Sequence, residues 1–132
     1  MKSSDKYATT GVKYLDDQHK MLFKMTDDFR IALNEHRGRP VYKMLLDSLE
    51  GYASMHFSIE EGCMERYRCP VEQANRAAHG KYLEIVATFQ QCYTLNGFDR
   101  ADAGNLIDTI EQWLEDHFCR IDAHLKQCMN MN

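Results

Sequence analysis

No stretch of this chain is apolar for anything near the roughly 20 residues that cross a bilayer, and the opening run MKSSDKYATT lacks the apolar core of a signal peptide. A membrane partner is therefore not expected, and the expected location is the cytoplasm. Basic charge is short as well. Sixteen Lys and Arg stand against 20 Asp and Glu, a formal net charge of -4, so there is no positive field to draw nucleic acid or anionic lipid. The five cysteines, Cys63, Cys69, Cys92, Cys119 and Cys128, are odd in number and lack C-x-x-C spacing, which speaks against a disulfide framework and a zinc knuckle alike. They are expected to be reduced, with Cys63 and Cys119 on inward helical positions as small hydrophobes. Alternation of the β type, internal repeats and low-complexity tracts are all missing, and proline occurs only twice.

What is present is helical periodicity. At 132 residues and 44% hydrophobic content the chain suits one domain spanning 1–132, with enough apolar material for a core. Leu15, His19, Leu22, Thr26, Phe29 and Leu33 alternate steps of four and three, the stripe of a helix facing a bundle interior. His36-Arg37-Gly38 closes that helix, with basic residues in its last turn and a glycine after them, and Pro40 stands where a proline opens the next. The second stripe is Leu45, Leu49, Tyr52, His56, Ile59 and Cys63. Gly51 and Gly62 each weaken it by about 1 kcal/mol relative to alanine, so packing has to hold it. After a break at Cys69-Pro70 come Asn75, His79, Tyr82, Val86, Phe89 and Tyr93. Asn96-Gly97 reads as a turn and Asp99 as an N-cap, followed by Leu106, Ile110, Trp113, His117, Ile121, His124 and Cys128. Short connections favour antiparallel neighbours, so the fold class is all-α, an up-down antiparallel four-helix bundle.

Five of the six histidines fall on these inward stripes, and four of them, one per helix, are the candidates: His19, His56, His79 and His117. With them go two carboxylates, Glu60 and Asp122. Burying such groups without partners costs several kcal/mol each, and a metal centre satisfies them together. His56 and Glu60, four apart, project about 40° from each other and roughly 6 Å apart along a helix, so both reach one centre. His117 and Asp122 are five apart, about 140° around an ideal helix. That spacing suits a two-metal site flanked by both side chains, or a local bulge. Imidazole with carboxylate suits borderline divalent ions such as iron, and a carboxylate can bridge two of them. His36, near a helix end, and His124, two turns from His117, are set aside as ordinary hydrogen-bonded residues. Glu61 is expected to be solvated rather than a ligand.

Asp16-Asp17-Gln18-His19-Lys20, His56-Phe57-Ser58-Ile59-Glu60-Glu61, and Trp113-Leu114-Glu115-Asp116-His117 with Asp122 resemble the hemerythrin and bacteriohemerythrin signature, in order and over nearly the whole chain. The resemblance implies a non-haem pair of irons, oxo- or hydroxo-bridged and carboxylate-bridged, with O2 as ligand. His19 and His56 would bind one iron, His79 and His117 the other, and Glu60 and Asp122 would bridge them. It also implies an O2 pocket lined by Leu22, Phe57, Trp113, Leu114 and Phe118. Three positions depart from the pattern. Asn75 stands where the family has a third histidine on the second iron, Tyr82 where phenylalanine is common, and the early tryptophan is missing, the nearest aromatics being Tyr7 and Tyr14. An amide oxygen is a weaker donor on a shorter arm than imidazole, so a water is expected in that ligand position, which opens it to solvent or small anions.

The resulting expectation is an oxygen or redox sensor, not itself an enzyme. It would serve as the N-terminal input domain of a longer signalling protein or work with a separate output domain, and a homodimer is compatible with the sequence. A stand-alone O2 carrier or store is the second reading. A di-iron oxidase or peroxidase is the third, since no second acid or base stands beside the site.

Overall fold

The computed structural model describes residues 13–118, the side chain of Tyr14 apart, together with Leu125 and Cys128. Those residues hold four α-helices: α1 (Lys13–Asn34), α2 (Tyr42–Arg66), α3 (Glu72–Asn96) and α4 (Arg100–His117). A single 3-10 turn, Arg39–Val41, precedes α2 and contains Pro40. α1 packs on α2 and α4, and α3 packs on the same two, so the four close into an up-down bundle with α1 and α3 on one diagonal. The expected fold class is the one observed. No helix among the described residues is long and apolar enough to cross a membrane.

The inward stripes are buried largely as their spacing requires. Leu15, Leu22, Leu49, Leu106 and Ile110 are completely enclosed, while Tyr52, Ile59, Cys63, Phe89, Tyr93 and Trp113 lie half-buried on the flanks of the core. Periodicity marks the centre of a face, and residues at its margin keep one edge in water. Ile121, His124 and Cys119 lie outside the described residues. The apolar interior divides into two clusters. The larger runs from Phe29 and Tyr42 to Leu114 and Phe118. The smaller joins Leu15, Met64, Cys69, Leu125 and Cys128. Between them lies a layer of buried polar side chains: His19, His56, Glu60, Asn75, His79 and His117.

Helix ends refine the sequence expectation. α1 stops at Asn34, before its basic residues, and the left-handed residue is His36 (φ 59) rather than the glycine. His36 N–H donates to Leu33 O at 3.1 Å and Arg37 N–H to Ala32 O at 2.7 Å, the paired bonds of a Schellman cap. Gly38 has an ordinary helical φ of -74 and serves another purpose. A Cβ there would lie 3.0 Å from Leu33 Cδ1, so glycine lets the connection press onto the core. The same cap recurs after α2, where Arg68 (φ 52) is left-handed, Arg68 N–H donates to Glu65 O and Cys69 N–H to Met64 O. Asn96-Gly97 turns with Gly97 at φ 76, and the Asp99 carboxylate accepts from Asp102 N–H at 3.2 Å, as a first-turn cap should.

A side chain pays about 1 kcal/mol to sit in the left-handed region, part of which glycine's greater unfolded freedom offsets. Arg68→Gly should therefore raise stability by roughly 0.5 kcal/mol. Urea denaturation checks it: a lowered midpoint would mean that Arg68 contributes more through its side chain than its backbone costs.

Candidate metal centre

Each helix delivers part of the polar layer. α1 supplies Gln18 and His19, α2 supplies His56, Glu60 and Glu61, α3 supplies Asn75 and His79, and α4 supplies His117. Their common point is the Glu60 carboxylate, which has no exposed surface. Its Oε2 lies 3.5 Å from His19 Nε2 and 3.7 Å from His56 Nε2. Its Oε1 lies 3.0 Å from His79 Nε2 and 3.6 Å from His117 Nε2. One carboxylate thus faces two imidazole pairs, one pair per oxygen. His19, His56 and Glu60 form one group with donor atoms within 4.8 Å of one another, and Glu60, His79 and His117 form a second.

Ring tautomers follow from the outer contacts. His56 Nδ1–H donates to Gln18 Oε1 at 2.7 Å, and His79 Nδ1–H donates to Glu61 Oε2 at 2.6 Å. In a neutral ring each Nε2 then carries a lone pair toward Glu60. His56 Nε2 finds no hydrogen-bond partner among the described residues. His79 Nε2 faces Glu60 Oε1 at 3.0 Å and His117 Nε2 at 3.1 Å. Two acceptors at such a distance need a cation or a proton between them. Burial, more than repulsion from the neighbouring histidines, lowers the pKa of His56 to about 3 despite the pull of Glu60. Burial likewise lowers that of His117, again against Glu60. Imidazoles aimed at a shared carboxylate, with His56 and His117 kept neutral by burial, are the donor set of a divalent metal. Donors on one ion, with bonds of about 2.0–2.2 Å, sit about 3 Å apart, close to the spacings found here.

Aromatic rings close over the imidazoles. Phe118 stacks on His19 with centroids 3.7 Å apart, Phe57 on His79 at 3.8 Å and Trp113 on His117 at 4.5 Å. Leu22 and Leu114 are fully buried in the adjoining core. Tyr82 is enclosed too, edge-on to Phe57 and Trp113, but its hydroxyl donates to Leu49 O at 2.9 Å. Burial raises its pKa, and its polar end is satisfied by α2 backbone. Asn75 is completely buried one turn before His79, and neither amide atom has a hydrogen-bond partner among the described residues. Asp122 lies outside the described residues.

The structure corrects one expectation and adds three residues. Glu61 is not simply solvated: it accepts from His79 and from Arg76. Gln18, Glu61 and Arg76 all escape a reading based on inward stripes, because each sits beside the stripe and reaches across to a neighbouring helix. The available signal was their adjacency, Gln18 next to His19 and Glu61 next to Glu60.

A family model described as the Hemerythrin HHE cation binding domain matches residues 10–128. The chain belongs to that family. It is 28% identical over 124 residues to a bacteriohemerythrin of Methylococcus capsulatus, covering 92% of this chain and 90% of the relative. A bacteriohemerythrin of Stenotrophomonas maltophilia is 25% identical over 125 residues, covering 89% and 79%. One of Pseudomonas aeruginosa is 25% identical over 114 residues, covering 86% and 72%. No solved structure matches the chain. It is a hemerythrin-like metal-binding domain whose His/Glu cluster is built on all four helices.

The buried imidazoles make the metal-free domain acid-sensitive. His56 has an ordinary pKa of 6.5 and a folded value near 3, so the unfolded chain takes up the proton first. The stability that neutral His56 permits is complete above about pH 6.5 and falls as pH drops toward about 3, and His117 acts in the same direction. The urea midpoint of metal-free protein should fall between about pH 7 and about pH 5. A flat midpoint over that interval would contradict imidazoles buried in the neutral state.

Proposed function

We propose that this hemerythrin domain holds two irons and senses oxygen or redox state. The observation that carries the reading is Glu60, whose two oxygens each face a separate pair of histidines. His19 and His56 would hold one iron and His79 and His117 the other, with the carboxylates of Glu60 and Asp122 shared between them. When bound, the irons supply the electrons for reversible reaction with O2. The chain's own contribution is to hold His56 and His117 neutral by burial and to exclude water. Leu22, Phe57, Trp113, Leu114 and Phe118 form the apolar wall for O2, which limits entry of the protons and anions that favour irreversible oxidation.

Asn75 inclines the reading toward sensing. Its buried amide lacks protein partners among the described residues and stands where the family has a histidine, which supports a water in that ligand position. An exchangeable position eases access of solvent and small anions and shortens the life of the reduced state. That property suits a device that reports oxidation to a fused or associated output domain better than it suits a store.

Two measurements test the proposal. Purified protein should carry about two irons per chain, and Glu60→Ala should lose both, since the bridge separates two cations. A single iron or zinc at full occupancy after reconstitution overturns the two-iron site. In stopped-flow mixing of reduced protein with O2, Asn75→His should slow conversion to the ferric state by completing the imidazole set. Unchanged or faster conversion removes the chemical reason for a sensor and leaves the stand-alone carrier or store as the better reading.

A further inference from the structure

His56 and His79 each have their outer nitrogen held by a side chain, and the two partners differ chemically. His56 donates to a neutral amide, Gln18, at 2.7 Å. His79 donates to a carboxylate, Glu61, at 2.6 Å. Glu61 is itself fixed. Its second oxygen accepts from Arg76 at 3.0 Å, and the same guanidinium reaches Glu72 at 2.8 Å and Glu65 at 3.3 Å. Three carboxylates therefore surround one cation, which ties α2 to α3 and leaves the environment behind His79 negative. This arrangement lies on the side of the polar layer that carries Asn75.

We infer that Glu61 is a positioning residue that makes His79 a stronger-donating imidazole than the amide-bound His56, on the half where Asn75 replaces a second α3 histidine. The inference rests on the two-iron reading. Its chemistry is that of the carboxylate–histidine–metal triad: a carboxylate on the outer N–H holds the tautomer and raises electron density at the inner nitrogen more than an amide does. Orientation matters as much. Stacking on Phe57, at an interplanar angle of 5°, holds the plane of the His79 ring but does not choose between its two flipped positions. The Glu61 contact makes that choice and leaves Nε2 toward Glu60. A metal with one imidazole fewer on α3 depends more heavily on the donor that remains. Arg76 keeps Glu61 from swinging to solvent, since Glu61 retains 20% of its side-chain exposure.

The test uses Glu61→Ala and Glu61→Gln, the latter nearly isosteric and still able to accept from Nδ1–H. In metal-free 15N-labelled protein, long-range 1H–15N spectra should show the Nδ1–H tautomer of His79 in the parent and in Glu61→Gln. In Glu61→Ala it should give way to a mixture. Cobalt(II) titration should then show binding at one of the two positions weakened about 10- to 100-fold in Glu61→Ala and by less in Glu61→Gln. An unchanged tautomer in Glu61→Ala, or equal cobalt affinity in all three proteins, overturns the inference. If the parent binds one cobalt or none, the two-iron reading itself falls; if it binds two and Glu61→Ala binds them equally well, only the role of Glu61 falls.

Discussion

A carboxylate with no exposed surface, ringed by four imidazoles, is the constraint on which this bundle turns. Removing an ionised carboxylate from water costs several kcal/mol, and the side chains placed around Glu60 here are imidazoles. The helices accept that cost in the middle of their interior, with Leu15 and Met64 on one side and Leu22, Phe57 and Leu114 on the other. An apolar pair at the same positions would make a simpler core. The polar layer persists at the price of stability in the metal-free chain, and metal binding converts the same side chains from a burden into the tie that joins all four helices.

Around that carboxylate each imidazole is governed by its neighbours more than by its own helix. Phe118, Phe57 and Trp113 stack on His19, His79 and His117, shutting out water and fixing ring planes. Gln18 and Glu61 determine which nitrogens of His56 and His79 face inward. The site therefore joins buried imidazoles, a shared carboxylate and an apolar wall, a metal-binding donor set shielded from water. Asn75 is the exception within this order, a buried amide whose needs the described protein atoms do not meet.

Much of the site was legible from spacing. Steps of three and four placed His19, His56, His79 and His117 on inward faces, and all four are buried there. Asp99, Gly97 and the break at Cys69-Pro70 marked helix ends correctly, because caps and turns are decided by a few adjacent residues. Gly38 misled in detail. A glycine near a helix end suggests a left-handed cap, yet His36 takes that conformation and Gly38 is small because Leu33 and Phe29 lie close. Local sequence does not reveal which of two nearby residues bends the chain when the deciding contact is tertiary.

The sequence by itself determined the four helices, the inward faces and the residue types able to bind metal, since these depend on a 3.6-residue period and on side-chain chemistry. Only the tertiary structure decided that Glu60 divides its oxygens between two histidine pairs, that Glu61 leaves solvent to hold His79, and that Arg76 bridges α2 and α3. Periodicity specifies the direction of a side chain from its own axis. It does not specify the rotation and depth at which a neighbouring helix meets it, and those two quantities set every contact between His79, Glu60 and Glu61.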